Sequence, residues 1–199
     1  MEYIVVYVSL SILFFGFCIQ FFTQKKNINF FIAHRKTIGV AFLFSGALFI
    51  LGYYFFSVFL QYIAWKTAMP PARFLVPPYR GIEYVFSFVF IRSLFYYVFS
   101  AIGAAAVFCV LRYMNKKRGD VFFEDDELLY ACLAIFLLGF PGWNYLWMWY
   151  GIGIFVITFF VSFLNPRIRR GEDRFSMYFL WLPLAIIGIL IMEFVRMIV

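Results

Sequence analysis

The stretch Arg118 to Tyr130, RGDVFFEDDELLY, gathers five of the chain's ten carboxylates into eight residues: Asp120, Glu124, Asp125, Asp126 and Glu127. Carboxylates grouped this closely suit three kinds of chemistry. In acid–base catalysis one of them activates water while a second, sharing its proton, polarises a carbonyl. Several together can ligate a divalent cation. Alternatively they accept from the unpaired N–H groups of a helix start and face the positive end of its macrodipole, for about 0.3–1 kcal/mol each when exposed. Four in a row exceed what a cap needs, since adjacent like charges repel; Lys116, Lys117 and Arg118 stand close enough to relieve that repulsion. A catalytic pair within the cluster meets a geometric obstacle. Successive helical residues are turned by about 100°, so Asp125 and Asp126 do not converge on one water when both are helical.

Other reactive side chains stand alone. His34, in IAHRK, is the only histidine and sits beside Arg35 at the edge of an apolar run, the position of a solvated surface group. It excludes bis-histidine haem ligation within one chain. Ser176 and the other serines have no His or Lys at hydrolase spacing. Cys18, Cys109 and Cys132 fall inside apolar runs without C-x-x-C spacing, which suggests buried free thiols rather than a disulfide framework or a metal site. Neither a metal nor a cofactor is expected.

The elements that position these residues must live in lipid. With 199 residues, 65% hydrophobic and 14% charged, and a mean hydropathy of +0.91, the chain lies outside soluble globular composition. In hydrocarbon every backbone donor and acceptor must pair within its own element, and long apolar runs satisfy this as helices. The reading is an all-α membrane protein, a single bundle of about six transmembrane helices over residues 4–22, 38–65, 93–113, 127–141, 145–164 and 177–192. The fourth is short for a bilayer crossing. The Pro-Gly step in PGWN then turns the chain into an antiparallel neighbour.

Charge sets the orientation. Lys25, Lys26, Arg35 and Lys36 follow the first span; Arg112, Lys116, Lys117 and Arg118 follow the third; Arg167, Arg169, Arg170 and Arg174 follow the fifth. By the positive-inside rule these three segments are cytoplasmic, and both termini lie outside a cytoplasmic (inner) membrane. The net charge of +7 is thereby explained by topology, and no nucleic-acid partner is invoked. Basic segments of this kind attract anionic lipid headgroups, at about 1 kcal/mol per near-surface Lys or Arg. Trp65, Trp143, Trp147 and Trp149 are expected to form an aromatic belt at the outer boundary. The outer loop KTAMPPARFLVPPYRGIEY, with two Pro-Pro pairs, is expected to be extended and to lie on the lipid surface. Gly46, Gly52, Gly103, Gly151 and Gly153 are candidates for close helix approach. Arg92 is an ionisable group in a span, close enough to the outer edge to snorkel. Glu193 and Arg196 are spaced to pair on one helix face.

Two segments carry a further resemblance. EDDELLYACLAIFLLGF places an aspartate at the cytoplasmic start of a Leu-rich helix with Gly139 near its far end, and RFSMYFLWLPLAIIGILI forms a final helix with Pro183 in its first half. Together residues 119–190 resemble the type IV prepilin peptidase family of intramembrane aspartyl proteases, in which a Gly-x-Gly-Asp motif opens such a helix. The resemblance implies Asp125 or Asp126 as the retained aspartate, with Asp120 third, and a membrane-anchored preprotein with a basic leader as substrate. The chain also departs from the family. Lys117 and Glu124 occupy motif glycine positions before Asp120 and Asp125 respectively. The first family aspartate, expected at the cytoplasmic end of an early span, has no counterpart: no Asp or Glu lies between Tyr3 and Ile82, and the matching region reads FFTQKKNINFF. The resemblance therefore implies a divergent relative in which peptidase activity and its loss are both open. The competing expectation is a non-enzymatic membrane subunit or scaffold that packs against other membrane proteins.

Overall fold

A computed structural model describes residues 2–24, 34–117, 125–164 and 180–198. These residues form six helices and no strand: α1 (Glu2–Gln24), α2 (Arg35–Thr67), α3 (Glu83–Lys117), α4 (Asp125–Leu137), α5 (Leu146–Leu164) and α6 (Trp181–Ile198). Stretches of α1, α2, α3 and α6 are long and apolar enough to cross a membrane, whereas Glu127–Leu137 and Leu146–Ile157 are shorter apolar helices. The protein is a polytopic, all-α membrane bundle.

Helix ends follow local chemistry. α3 begins well before the expected residue 93, because no Gly or Pro follows Gly81 until the helix is established. It accommodates Arg92 in a π turn, Phe90–Leu94, where the Phe95 N–H donates to the Phe90 carbonyl and Ser93 Oγ donates to the Val89 carbonyl at 2.8 Å. α4 stops at Leu137, short of the expected 141. Pro141 has no N–H to continue the helix, and it holds Phe140 in an extended conformation at φ −64°, ψ 129°. Asn144 and Tyr145 then take positive φ of 45° and 60°, reversing the chain into α5. Pro183 sits in the first turn of α6, where its missing N–H leaves no helical bond unmade.

Contacts between helices fix their relative levels. α2 runs parallel to α4, since a Cβ at Gly39 would lie 3.3 Å from Leu129 and one at Gly46 would lie 3.4 Å from Leu137. α3 runs antiparallel to α4: the Cys132 thiol donates to the Ala104 carbonyl at 3.4 Å, and the Tyr97 and Phe136 rings are 6.0 Å apart. α1 runs antiparallel to α6, with Gly16 against Leu182. One end of the bundle therefore gathers the end of α1, Lys36, Lys116, Lys117, Asp125 and Trp181; we refer to it as the basic end.

α4 is the centre of the bundle and touches all five other helices. Leu128, Tyr130, Ala131, Leu133, Ala134, Ile135, Leu137 and Leu138 are each at most 1% exposed. Such burial matches a helix that is apolar all round. Its 13 residues cover only about 20 Å, against about 30 Å of hydrocarbon. Enclosure by neighbours removes the need to reach water at either end. It also shelters the irregular backbone from Leu138 to Trp143, which lipid would not tolerate.

At the opposite end α2 and α3 rise beyond the other helices. A helix needs about 20 residues to span the hydrocarbon, and counted from Lys36 or Arg112 that length ends at the level of Phe56 or Arg92. Around that level and beyond it the two helices form a hairpin with its own apolar cluster of Tyr54, Val58, Val85 and Val89, closed by Val76 from the connecting loop. The Pro-rich loop is consequently folded back rather than extended along lipid: Ala72–Leu75 forms a 3-10 turn, and Val76 is buried against the hairpin.

Three other expectations change. Trp143 is 0% exposed and donates its Nε1–H to Glu193 at 2.7 Å, so it is a core residue and not part of a lipid-facing belt; Trp149 remains exposed. Of the five glycines, Gly103 marks a tight approach, to the Trp147 ring, and Gly46 an ordinary contact, whereas Gly52, Gly151 and Gly153 face open space. Cys132 is buried and Cys18 half-buried, but Cys109 is exposed on α3. Glu193 and Arg196 do pair, at 3.3 Å.

Candidate functional site

The acidic cluster meets the fold at the first turn of α4. Asp125 and Asp126 are its first two residues, followed by Glu127, so three carboxylate-bearing positions occupy the turn where the helix dipole favours negative charge. Asp120 and Glu124 lie outside the described residues, as do Lys25, Lys26, Arg118, Arg167, Arg169, Arg170 and Arg174 of the basic segments. The side chains of Asp125 and Asp126 are likewise outside the described set.

Glu127 is the member of the cluster whose side chain is placed, and it points into the protein. It is 0% exposed, and its Oε1 accepts from Trp181 Nε1 at 3.3 Å. Trp181 is in turn held by α5: its carbonyl accepts from the Tyr150 hydroxyl at 2.6 Å, and the two rings lie 6.4 Å apart. This chain of contacts joins α4, α6 and α5 at one level. A buried carboxylate is costly unless donors surround it, and an indole N–H supplies one while adding ring surface to the core.

Two further polar side chains are buried towards the basic end. Gln20, on α1 one turn beyond Gly16, is 0% exposed, and Asn115 is buried in the last turns of α3. Each of Gln20, Asn115 and Glu127 is engaged by interactions within the protein. Amides donate and accept hydrogen bonds, but they neither share a carboxyl proton nor act as a general base. The described buried polar side chains at this end thus supply one carboxylate and two amides. Among the described residues no group of three or more His, Cys, Asp or Glu is placed to hold a metal ion. His34 is exposed in the turn before α2.

The acidic run was legible in the sequence, with the chemistry expected on Asp125, Asp126 and Asp120 and no separate role for Glu127. The signal that distinguishes Glu127 is its neighbourhood: Leu128 to Leu138 is apolar on every face, so a carboxylate opening that run within the helix must turn inward or meet lipid. Gln20 carried a comparable signal, as a polar residue between Ile19 and Phe21 in an apolar span. Comparison with family models, with curated proteins and with solved structures finds no match to this chain.

Proposed function

We propose that this protein is a prepilin-peptidase-like membrane core that does not hydrolyse peptides through an aspartyl pair and acts instead as a non-enzymatic membrane subunit. The observation that carries this reading is the state of the basic end. The placed carboxylate, Glu127, is sealed from water against Trp181. The buried polar residue near the end of α1 is the amide Gln20, just ahead of the region FFTQKKNINFF that matches the family's first aspartate. Among the described side chains this end offers one carboxylate, and a single sealed carboxylate does not both activate water and polarise a peptide carbonyl. The resemblance itself rests on residues 119–190, and a short helix that opens on an acidic cluster at the basic end is in keeping with it. The positive-inside rule favours a cytoplasmic membrane with both termini outside. A membrane-protein partner is the binding class this reading implies.

Reconstitution into proteoliposomes with a membrane-anchored preprotein bearing a basic leader tests the reading. No leader cleavage is expected, and Asp125→Asn, Asp126→Asn and Asp120→Asn variants should be indistinguishable from the parent in that assay. Cleavage that disappears in any one of those variants would establish the peptidase and overturn the proposal.

A further inference from the structure

We propose that a groove at the end opposite the basic segments binds the phosphodiester headgroup of an anionic phospholipid, with the Arg92 guanidinium as its anchor. The groove has a volume of about 580 Å³ and lies between α2, α3 and the turn after α4. That volume suits a small-ligand pocket, which commonly occupies about 300–1,000 Å³. Tyr53, Ser57 and Gln61 line it from α2, Arg92 and Ser93 from α3, and Phe140 to Gly142 form one wall.

The α2 residues recur every four positions and so share one helix face. Over the stretch GYYFFSVFLQ, Ser57 and Gln61 are the polar side chains apart from the tyrosines, and both turn to the groove rather than to lipid. Across from them Arg92 lies in the π turn, where one extra residue rotates the helix face relative to a regular α-helix. Ser93 Oγ holds the Val89 carbonyl on the same turn. The groove lining contains a cation and no carboxylate.

Neighbouring cations make the contrast. Arg196 lies across Gly142 from the groove, but it is paired with Glu193 and rests over the Phe140 ring at 5.9 Å. Lys66 and Arg80 sit over the Tyr62 and Tyr84 rings. Among the described residues Arg92 has no ion-pair, hydrogen-bond or ring partner, although a cation at membrane depth is costly without one. Its level decides the occupant. Arg92 is about 20 residues, or about 30 Å of helix axis, from Arg112, which places it at the hydrocarbon boundary where lipid phosphates lie. A guanidinium fork can hold two phosphate oxygens at once. The Ser57 hydroxyl and Gln61 amide add donors from the facing helix, and the exposed Phe56 and Ile91 mark helix surface left open to acyl chains.

Binding of phosphatidylglycerol and of phosphatidylcholine with the same acyl chains, measured by native mass spectrometry on the intact protein in mild detergent, tests the proposal. Phosphatidylglycerol should bind more tightly. Arg92→Gln should weaken it by about tenfold or more, Gln61→Leu by a few-fold, and Arg196→Gln should leave it unchanged. Arg92→Lys, which keeps the charge and loses the fork, should fall between parent and Arg92→Gln and gives the readout if the glutamine variant does not fold. Equal binding of the two lipids, undiminished phosphatidylglycerol binding in Arg92→Gln, or full competition by soluble glycerol 3-phosphate would overturn it, the last by making the ligand a free phosphate ester.

Discussion

Replacing Trp181 by Ala is expected to lower the free energy of unfolding by about 3–5 kcal/mol, the range for deleting a large buried aromatic side chain. Trp181 joins three helices: its Nε1 donates to Glu127 on α4, its carbonyl accepts from Tyr150 on α5, and its ring is buried at the start of α6. In lipid the transfer term is small, because the surroundings of a separated helix are also apolar. The loss is then chiefly of packing and of the Glu127 donor, which favours the lower half of the range. Trp181→Phe separates the two contributions. It keeps most of the ring volume but removes the N–H, and should cost about 1–3 kcal/mol through the poorly satisfied buried carboxylate. Glu127→Gln in the Trp181→Phe background should recover part of that loss, because a neutral amide is less costly to bury than a carboxylate. Chemical denaturation in detergent, followed by circular dichroism, reads all three. A Trp181→Ala protein as stable as its parent would remove Trp181 from the centre of the fold.

Gly139→Ala is the second large effect, and here a small addition does the damage. A Cβ at residue 139 would collide with the Ser100 side chain, lying 2.8 Å from its Cβ and closer still to its Oγ, and would press on the Phe136 carbonyl at 3.1 Å. Ser100 cannot easily withdraw. Its hydroxyl is within reach of both the Tyr97 carbonyl, at 3.0 Å, and the Phe136 carbonyl, at 3.1 Å, so it helps to satisfy the end of α4. Overpacking of this kind costs about 1–3 kcal/mol. Ser100→Gly should restore most of the stability of Gly139→Ala, whereas Ser100→Ala should restore less because the clashing Cβ remains. The resulting cycle should show coupling of about 0.5–3 kcal/mol. Additive effects of the two substitutions would show that α3 and α4 do not meet at this point.

The amino-acid sequence alone determined the solvent, the class and most of the helix count. Runs such as Ile4 to Phe22 and Ile38 to Trp65 read as helices, because intra-segment hydrogen bonds satisfy their backbone in hydrocarbon and their unbroken apolar character lacks the alternation of a barrel strand. The turn at PGWN and the Glu193–Arg196 pair were legible for the same local reason: both depend on residues a few positions apart. What depended on distant residues was not. α4 looked like a short membrane span, and only its enclosure by five neighbours shows why 13 residues suffice. Trp143 read as an interfacial residue until Glu193, far along the chain, proved to hold its indole. That Glu127 must turn inward was legible from the apolar run it opens, but its partner was not, since burial against Trp181 is set by how α6 packs on α4. Arg92, legible as an isolated cation, gained a facing pair of donors only when α2 was laid beside α3. A sequence records which groups must avoid lipid, but the partner that satisfies each of them is chosen by helix packing.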